Sequence, residues 1–313
     1  MRFLITGVAG FLGSALANRL VHEGHIVFGL DNLSTGNQKS LAPDVEFIQG
    51  DVNDRPKLWT LLQNVDCVYH LAARVLVPES VLYPREYNNV NVGGTVTLME
   101  AIRDVGVSRV LFTSSGALYG NQENQPVNED AIPRPRSPYA VSKLAAEYYI
   151  HTIGELWGIE TVSLRLFNIY GPGQYIPPMH PPVIPNFLRQ ASQGGTLVVH
   201  GDGNQTRDYL YIEDAINALV SAIKAPGLKH STINVGSGEE TSVRELVRLV
   251  SDITGGHPEV MYNPRVDTGP DRLRADLTLA RDKLNFQPTI SLETGLRLTL
   301  EQDERLQDLS ESV

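Results

Sequence analysis

Tyr139 and Lys143 lie four positions apart in the run Tyr139-Ala140-Val141-Ser142-Lys143. On a helix that spacing puts the phenol and the ammonium on one face. A phenol is a poor base at neutral pH unless nearby positive charge favours its phenolate, and Lys143 can supply that charge. Alone the pair carries little weight, because Tyr-x-x-x-Lys is common on ordinary amphipathic helices. A glycine-rich segment opening the same chain changes its meaning. Gly7-Val8-Ala9-Gly10-Phe11-Leu12-Gly13 follows a strand pattern and opens a helical one. Glycines there permit a tight turn, let the backbone approach a pyrophosphate and allow close helix packing. The helix N-terminus adds N–H donors and positive potential. The spacing is G-x-x-G-x-x-G, shifted from the commoner G-x-G-x-x-G. Its setting between strand and helix favours a nucleotide over a plain structural turn.

Asp31 stands eighteen positions beyond Gly13, at the end of the second strand pattern. A carboxylate there accepts both adenosine-ribose hydroxyls and repels a 2′-phosphate, so NAD is expected over NADP. The adjoining turn, which opens at Asn32, holds no arginine suited to a 2′-phosphate. Asp51, with Val52 beside it, follows the third strand and is placed to meet the adenine; the alternative is a cap on the next segment. Leu71-Ala72-Ala73 offers small side chains where the fourth strand ends, suited to a cofactor lying flat or to core packing. Beside an oxidised nicotinamide, Tyr139 can take a proton from a sugar hydroxyl while hydride leaves the carbon.

These groups need a scaffold, and the first half supplies a regular one. Strands are expected at Arg2–Thr6, Ile26–Asp31, Val45–Gly50, Cys67–Ala72, Arg109–Ser114 and Thr161–Phe167. Helices are expected at Phe11–Glu23, Lys57–Leu62, near Arg85–Val105 and at Ala140–Trp157. This alternation predicts a parallel, doubly wound α/β sheet of the Rossmann type, with ligands at the strands' carboxyl ends. After Asn168 the texture changes to an irregular, proline-rich stretch across 177–185, which is expected to border a sugar pocket. A helix at Asn186–Gln193 and a strand at Leu197–His200 follow. Tyr209–Ala225 and Thr232–Val235 are expected to return to the first domain. Helices near Val243–Thr254 and Leu292–Gln302 then build a smaller, discontinuous lobe. The division expected is 1–167 plus about 207–238 for the nucleotide, and about 168–206 plus 239–313 for the substrate.

Composition limits the possible classes. The 313 residues are 42% hydrophobic, which suits a buried core and argues against disorder. A net charge of −10 without any Lys/Arg run gives no reason to expect nucleic-acid binding. Cys67 is the only cysteine, so no intramolecular disulfide or thiolate cluster can form. The histidines show no metal-binding spacing, and no metal is expected. The chain opens directly on a strand and has no membrane-length apolar run. No signal peptide is expected, and the reading is a soluble cytoplasmic protein.

Taken in order, these motifs resemble the extended short-chain dehydrogenase/reductase family, and within it the nucleotide-sugar epimerases. The similarity runs through Gly7–Gly13, Asp31–Ser34, His70–Ala73, Asn91–Thr95, Thr113–Gly120, Tyr139–Lys143, Arg165–Gly171 and Arg207–Tyr209. It implies a catalytic Ser115-Tyr139-Lys143 set. Ser115 would bond the reacting sugar oxygen, Tyr139 would act as acid/base, and Lys143 would hold the nicotinamide ribose. It also implies cofactor contacts at Asn91 and Phe167, with Phe167 backing the nicotinamide. Asn168 and Arg207 would bind the diphosphate, Val198 and His200 would flank the nucleobase, and Arg272 is a further phosphate or ribose candidate.

The residues beside Ser115 separate reactions within the family. Dehydratases and UDP-glucuronate decarboxylases carry acidic groups there, whereas this chain has Ser114-Ser115-Gly116-Ala117. The resemblance therefore implies inversion at C4 of a UDP-hexose through a transient ketone, with NAD retained. UDP-glucose/UDP-galactose is the default pair. UDP-glucuronate remains open, as do decarboxylation and dehydration, because the stretch around Arg272 looks closer to the decarboxylases' version. A homodimer built on the helices at Arg85–Val105 and Ala140–Trp157 is likewise implied.

Overall fold

In the computed structural model, which describes residues 1–263 and 269–307, buried strands alternate with helices through the first half. Strand β1 (Arg2–Thr6) leads through the glycine turn to α1 (Phe11–His22), β2 (Ile26–Asp31) and β3 (Glu46–Gln49). Helix α2 (Arg55–Leu61) and β4 (Cys67–His70) follow, then α3 (Val77–Leu82) and α4 (Pro84–Tyr87). A π-helical turn at Asn88–Gly93 joins α4 to α5 (Gly94–Val105). Strand β5 (Arg109–Ser115) passes into a short 3-10 turn at Gly116–Tyr119, followed by α6 (Pro138–Trp157) and β6 (Glu160–Leu166).

The second half is more broken. It holds β7 (Ile169–Tyr170), α7 (Val183–Ser192), β8 (Leu197–His200), β9 (Thr206–Arg207), β10 (Leu210–Tyr211), α8 (Ile212–Lys224) and β11 (Ser231–Val235). Then come β12 (Thr241–Ser242), α9 (Val243–Thr254), β13 (Val260–Asn263), α10 (Thr278–Leu284) and α11 (Leu292–Gln302). Strand β8 pairs with β13, β9 with β12 and β7 with β10.

Among the described residues, seven strands form one parallel sheet in the order β11-β6-β5-β4-β1-β2-β3. The sheet grows outward from β1 in one direction and from β4 in the other, so the connections leaving these neighbours go to opposite faces. Their carboxyl ends are the switch point at which such sheets hold ligands. The ladder sets Thr6 beside His70 and Ser114 beside Arg165. Strand β11 returns to the sheet next to β6, as expected for Thr232–Val235.

Apolar side chains cover both faces. Leu4, Phe112, Leu98 and Ile150 pack where α5 and α6 lie together. Leu16, Leu20, Tyr69 and Leu219 pack on the other side, where α1 meets α8. Strand β4 is buried at every position, which is why its sequence runs apolar without alternation.

Helix α6 carries its own start and stop signals. Ser137 accepts the Ala140 N–H at 3.1 Å, Pro138 occupies the first turn, and Gly158 closes the helix at φ 69°. The sequence reading of one continuous helix near Arg85–Val105 is corrected in detail: the π turn interrupts it at Asn91, a feature that hydrophobic periodicity does not encode. No helix among the described residues is long and apolar enough to cross a membrane.

Candidate active site

The glycine segment forms a cradle that side chains would fill. Gly7 has φ +74°, and a β-carbon there would sit 2.7 Å from the Ala72 nitrogen. A β-carbon on Gly13 would run into the Gly7 carbonyl. Both positions therefore require glycine, one for its backbone and one for close helix packing. The Gly7 N–H is taken by Leu30 O at 2.8 Å, which ties the turn to β2. Gly10 precedes the first residue of α1, and Phe11 and Leu12, both half-buried, open that helix.

Asp31 closes β2 with its carboxylate turned to the same edge. One oxygen accepts the Ala9 N–H at 3.0 Å and the other the Leu33 N–H at 2.8 Å. Each oxygen keeps acceptor capacity for a ribose hydroxyl. Asp51 accepts from the Asn53 backbone at 2.8 Å and side chain at 2.9 Å, and from Asn32 at 3.2 Å. Burial works against its charge, and these hydrogen bonds outweigh it to leave the carboxyl below the usual range. Asp51 thus braces the turn before α2, whose cap is Asp54 and not Asp51 as the alternative had it, while Val52 is buried against Gly94. Leu71, Ala72 and Ala73 leave β4 directly opposite Gly7. Small side chains, aligned N–H groups and a carboxylate at the second strand's end fit an adenine dinucleotide.

A buried polar chain connects this cradle to α6. Thr95 donates its hydroxyl proton to Asn91 O at 2.6 Å, so toward His70 Nε2, 2.8 Å away, it accepts. His70 Nε2 therefore carries the proton, and Nδ1 accepts from Thr6 Oγ1 at 2.8 Å. Burial, with Lys143 adding a smaller push, lowers this imidazole to about 3 and keeps it neutral. Asn91 lies at the π turn. Its side-chain oxygen accepts the Arg74 N–H at 2.8 Å, and its nitrogen donates to Arg74 O at 3.0 Å and Ser142 Oγ at 2.9 Å. Both amide hydrogens are thereby used. The expected direct cofactor contact at Asn91 gives way to a structural one that pins the segment after β4 to α6.

Ser115 ends β5, and its oxygen accepts the Ala117 N–H at 3.2 Å, which leaves the hydroxyl proton to donate. Tyr139 sits in the first turn of α6, where the helix N-terminus favours an anion. Burial pushes its phenol up, and the hydrogen bond from Ser115 opposes that shift. Its ring meets Tyr87 edge-on at 6.5 Å. One turn on, Lys143 is 3% exposed. Burial pulls its ammonium down to about 7, with Glu147 pulling the other way. Serine, tyrosine and lysine thus converge at the carboxyl end of β5, on the edge that carries Gly7 and Asp31.

Phe167 departs from expectation. It is 1% exposed and packs beneath Gly116, where a β-carbon would meet its ring at 3.1 Å. It supports the turn after Ser115 and presents no open face to a nicotinamide. Asn168 is exposed, with its amide donating to Asp208 O at 2.9 Å. Arg207 donates to Pro270 O and Thr206 O, each at 2.7 Å. Asp208 does not pair with it. That carboxylate is fully buried and accepts from Ser237, Gly238 and Ala275. Arg272 is held bidentately by Glu240 at 2.7 and 2.6 Å, and Glu240 also accepts from the Thr206 hydroxyl. The two arginines are therefore neighbours, but Arg272 already has a carboxylate partner where a phosphate was expected. Val198 and His200 both point outward from β8.

The sequence reading missed His70, Thr6 and Thr95 as a linked set, and missed the buried pair formed by Arg165 and Glu147. The one available signal was a charged residue inside each of two strongly apolar elements. Among the described residues, no group of three or more His, Cys, Asp or Glu side chains is arranged to hold a metal.

The sequence model of the NAD dependent epimerase/dehydratase family matches residues 3–236. The chain belongs to that family. It is similar to the UDP-glucose 4-epimerase of Mycolicibacterium smegmatis, 38% identical over 308 residues, covering 96% of this chain and 98% of that one. The crystal structure of a UDP-glucose 4-epimerase with UDP-glucose from Thermotoga maritima superposes with a TM-score of 0.92 at 32% identity, covering 96% and 98% of the two chains. A UDP-glucuronic acid 4-epimerase from Bacillus cereus, solved with UDP-glucuronic acid and NAD, gives 0.89 at 32% identity and the same coverage. NAD dependence comes with the family, and the cradle at Gly7, Gly13 and Asp31 fits it.

Proposed function

We propose that this protein interconverts UDP-sugars at C4, with UDP-glucose and UDP-galactose as the pair. The observation that carries the reading is that Ser115, at the end of β5, keeps its hydroxyl proton to donate beside the helix that bears Tyr139 in its first turn and Lys143 one turn along, with no carboxylate in Ser114-Ser115-Gly116-Ala117. As phenolate, Tyr139 takes the proton of the 4-hydroxyl while Ser115 donates to the same oxygen. NAD, when bound, would supply the redox chemistry, the hydride transfer from C4 and its return to the opposite face. Tyr139 then gives the proton back, so the protein finishes as it started. Lys143 holds the ribose and sustains the phenolate. An acidic group beside Ser115, which dehydration or carboxylate handling would use, is missing.

In this reading Asn168 and Arg207 grip the diphosphate, Val198 and His200 flank the base, and Arg272 joins the phosphate once released by Glu240. Residues 1–167 and about 207–238 form the NAD part. About 168–206 and 239–313 form the sugar-nucleotide part, of which 264–268 and 308–313 lie outside the described residues. A second copy would cover α5 and α6, where Tyr148, Tyr149, Leu156 and Trp157 stand exposed on α6. The setting proposed is cytoplasmic galactose metabolism. UDP-glucuronate 4-epimerisation is the second reading, supported by the likeness to the Bacillus cereus enzyme.

The test is incubation with UDP-glucose, UDP-galactose and UDP-glucuronate without added NAD, with products read by NMR. C4 interconversion of the first two without net NADH is expected. Carbon dioxide release or a stable 4-keto-6-deoxy sugar would contradict the proposal.

A further inference from the structure

Arg165 is a guanidinium in the middle of a buried strand. It points from β6 onto the face covered by α6, and its side chain is 7% exposed. Its Nη2 donates to Glu147 Oε1 at 2.6 Å and its Nε to Glu147 Oε2 at 3.2 Å, a two-pronged contact. Glu147 is 2% exposed and lies on α6 exactly one i,i+4 step beyond Lys143, which is itself one such step beyond Tyr139. The remaining nitrogen, Nη1, donates to the Tyr119 hydroxyl at 2.7 Å. Tyr119 passes its own proton to Asn234 Oδ1 at 2.7 Å, on β11. Tyr119 is also the last residue of the short turn that Ser115 caps.

One planar group therefore touches both elements that carry the catalytic set. Its fork grips the helix that bears Tyr139 and Lys143, and its third donor grips the turn that begins at Ser115. Burial works against the Arg165 charge, and Glu147 with Tyr119 more than offsets it. A buried ion pair of this kind adds little net stability over an apolar pair of the same shape, so stability is a weak reason for its presence. Geometry is a better one, because Arg is rigid and has donors to spare where Lys has a single nitrogen.

We propose that Arg165 is a positioning residue for the epimerase reaction, a strut from Glu147 to Tyr119 that fixes the Ser115 hydroxyl against the Tyr139 phenol. The inference rests on the C4-epimerase reading. Two mild variants test it. Tyr119→Phe removes one hydroxyl from the strut, and Arg165→Lys keeps the charge opposite Glu147 but cannot span both partners. Both should fold with near-native melting temperatures and bind UDP-glucose with unchanged KM. Their kcat should fall, by up to about 10²-fold for Arg165→Lys, because a small misplacement of reacting groups costs that much. Crystal structures of the two variants should show Ser115 displaced from Tyr139.

A role limited to stability or charge neutralisation predicts something else: native kcat in Arg165→Lys, with any loss confined to the melting temperature. Native kcat in both variants, while the wild type interconverts the sugars, would overturn the strut. If the wild type interconverts neither sugar, the epimerase reading fails. The strut is then judged by the variant crystal structures, where an unmoved Ser115 overturns it and a displaced one supports it.

Discussion

The Lys143 ammonium lies over the ring of Phe112, 4.3 Å from its centroid. An aromatic face is a poor substitute for water, and burial holds the group near about 7. At about pH 8 the cofactor-free protein thus carries Lys143 mainly as the neutral amine. Ribose hydroxyls that accept hydrogen bonds from the Lys143 ammonium favour its charged form and raise that pKa, so binding takes up a proton. Calorimetry of NAD binding at about pH 8, in buffers of different ionisation enthalpy, should show uptake of up to about one proton. Lys143→Met should abolish it. Proton release, or uptake that survives in the variant, would remove Lys143 from the ribose site.

Tyr139→Phe keeps the ring against Tyr87 and removes only the hydroxyl that faces Ser115. Turnover should fall by about 10²–10⁴-fold, the contribution expected of a positioned acid/base, while UDP-sugar affinity stays within a few-fold. Single-turnover kinetics together with titration of UDP-glucose separate the two. A variant that turns over normally would shift the acid/base role to another group.

Asp31 holds Ala9 and Leu33 through its two oxygens and is the acceptor offered to an adenosine ribose. Asp31→Asn removes the charge at nearly constant shape. NAD should bind about tenfold more weakly, in line with the loss of a hydrogen bond to a charged group, and the margin over NADP should narrow. Dissociation constants for both dinucleotides check this. Unchanged NAD affinity would exclude Asp31 from the ribose contact.

The parts of the molecule that were legible in the sequence share a physical character. Strands β1 to β6 and the glycine cradle announce themselves through local patterns: apolar runs, glycines and a carboxylate at a fixed distance. The i,i+4 spacing of Tyr139 and Lys143 was legible because a helix face dictates where their side chains go, whereas Ser115 was singled out through the family resemblance. What escaped depends on partners far along the chain. The two-residue pairings of β9 with β12 and β7 with β10 exist only because distant segments meet. Asn91 was read as a cofactor contact because nothing local shows that Arg74 and Ser142 consume its amide. Nothing local shows that Glu240, thirty-two positions away, holds Arg272 in a pair that a phosphate would have to displace. Phe167 was given a nicotinamide face that Gly116 in fact covers. Side-chain commitments of this kind are tertiary facts, and a motif alone does not carry them.

The central claim is that C4 of the sugar loses and regains the same hydrogen within one active site, with Tyr139 handling only the oxygen-bound proton. UDP-galactose carrying deuterium at C4, converted in ordinary water and read by NMR, tests it directly. The account predicts UDP-glucose with deuterium retained at C4. Loss of that deuterium to solvent would mean that the carbon is inverted by proton exchange, and would contradict it.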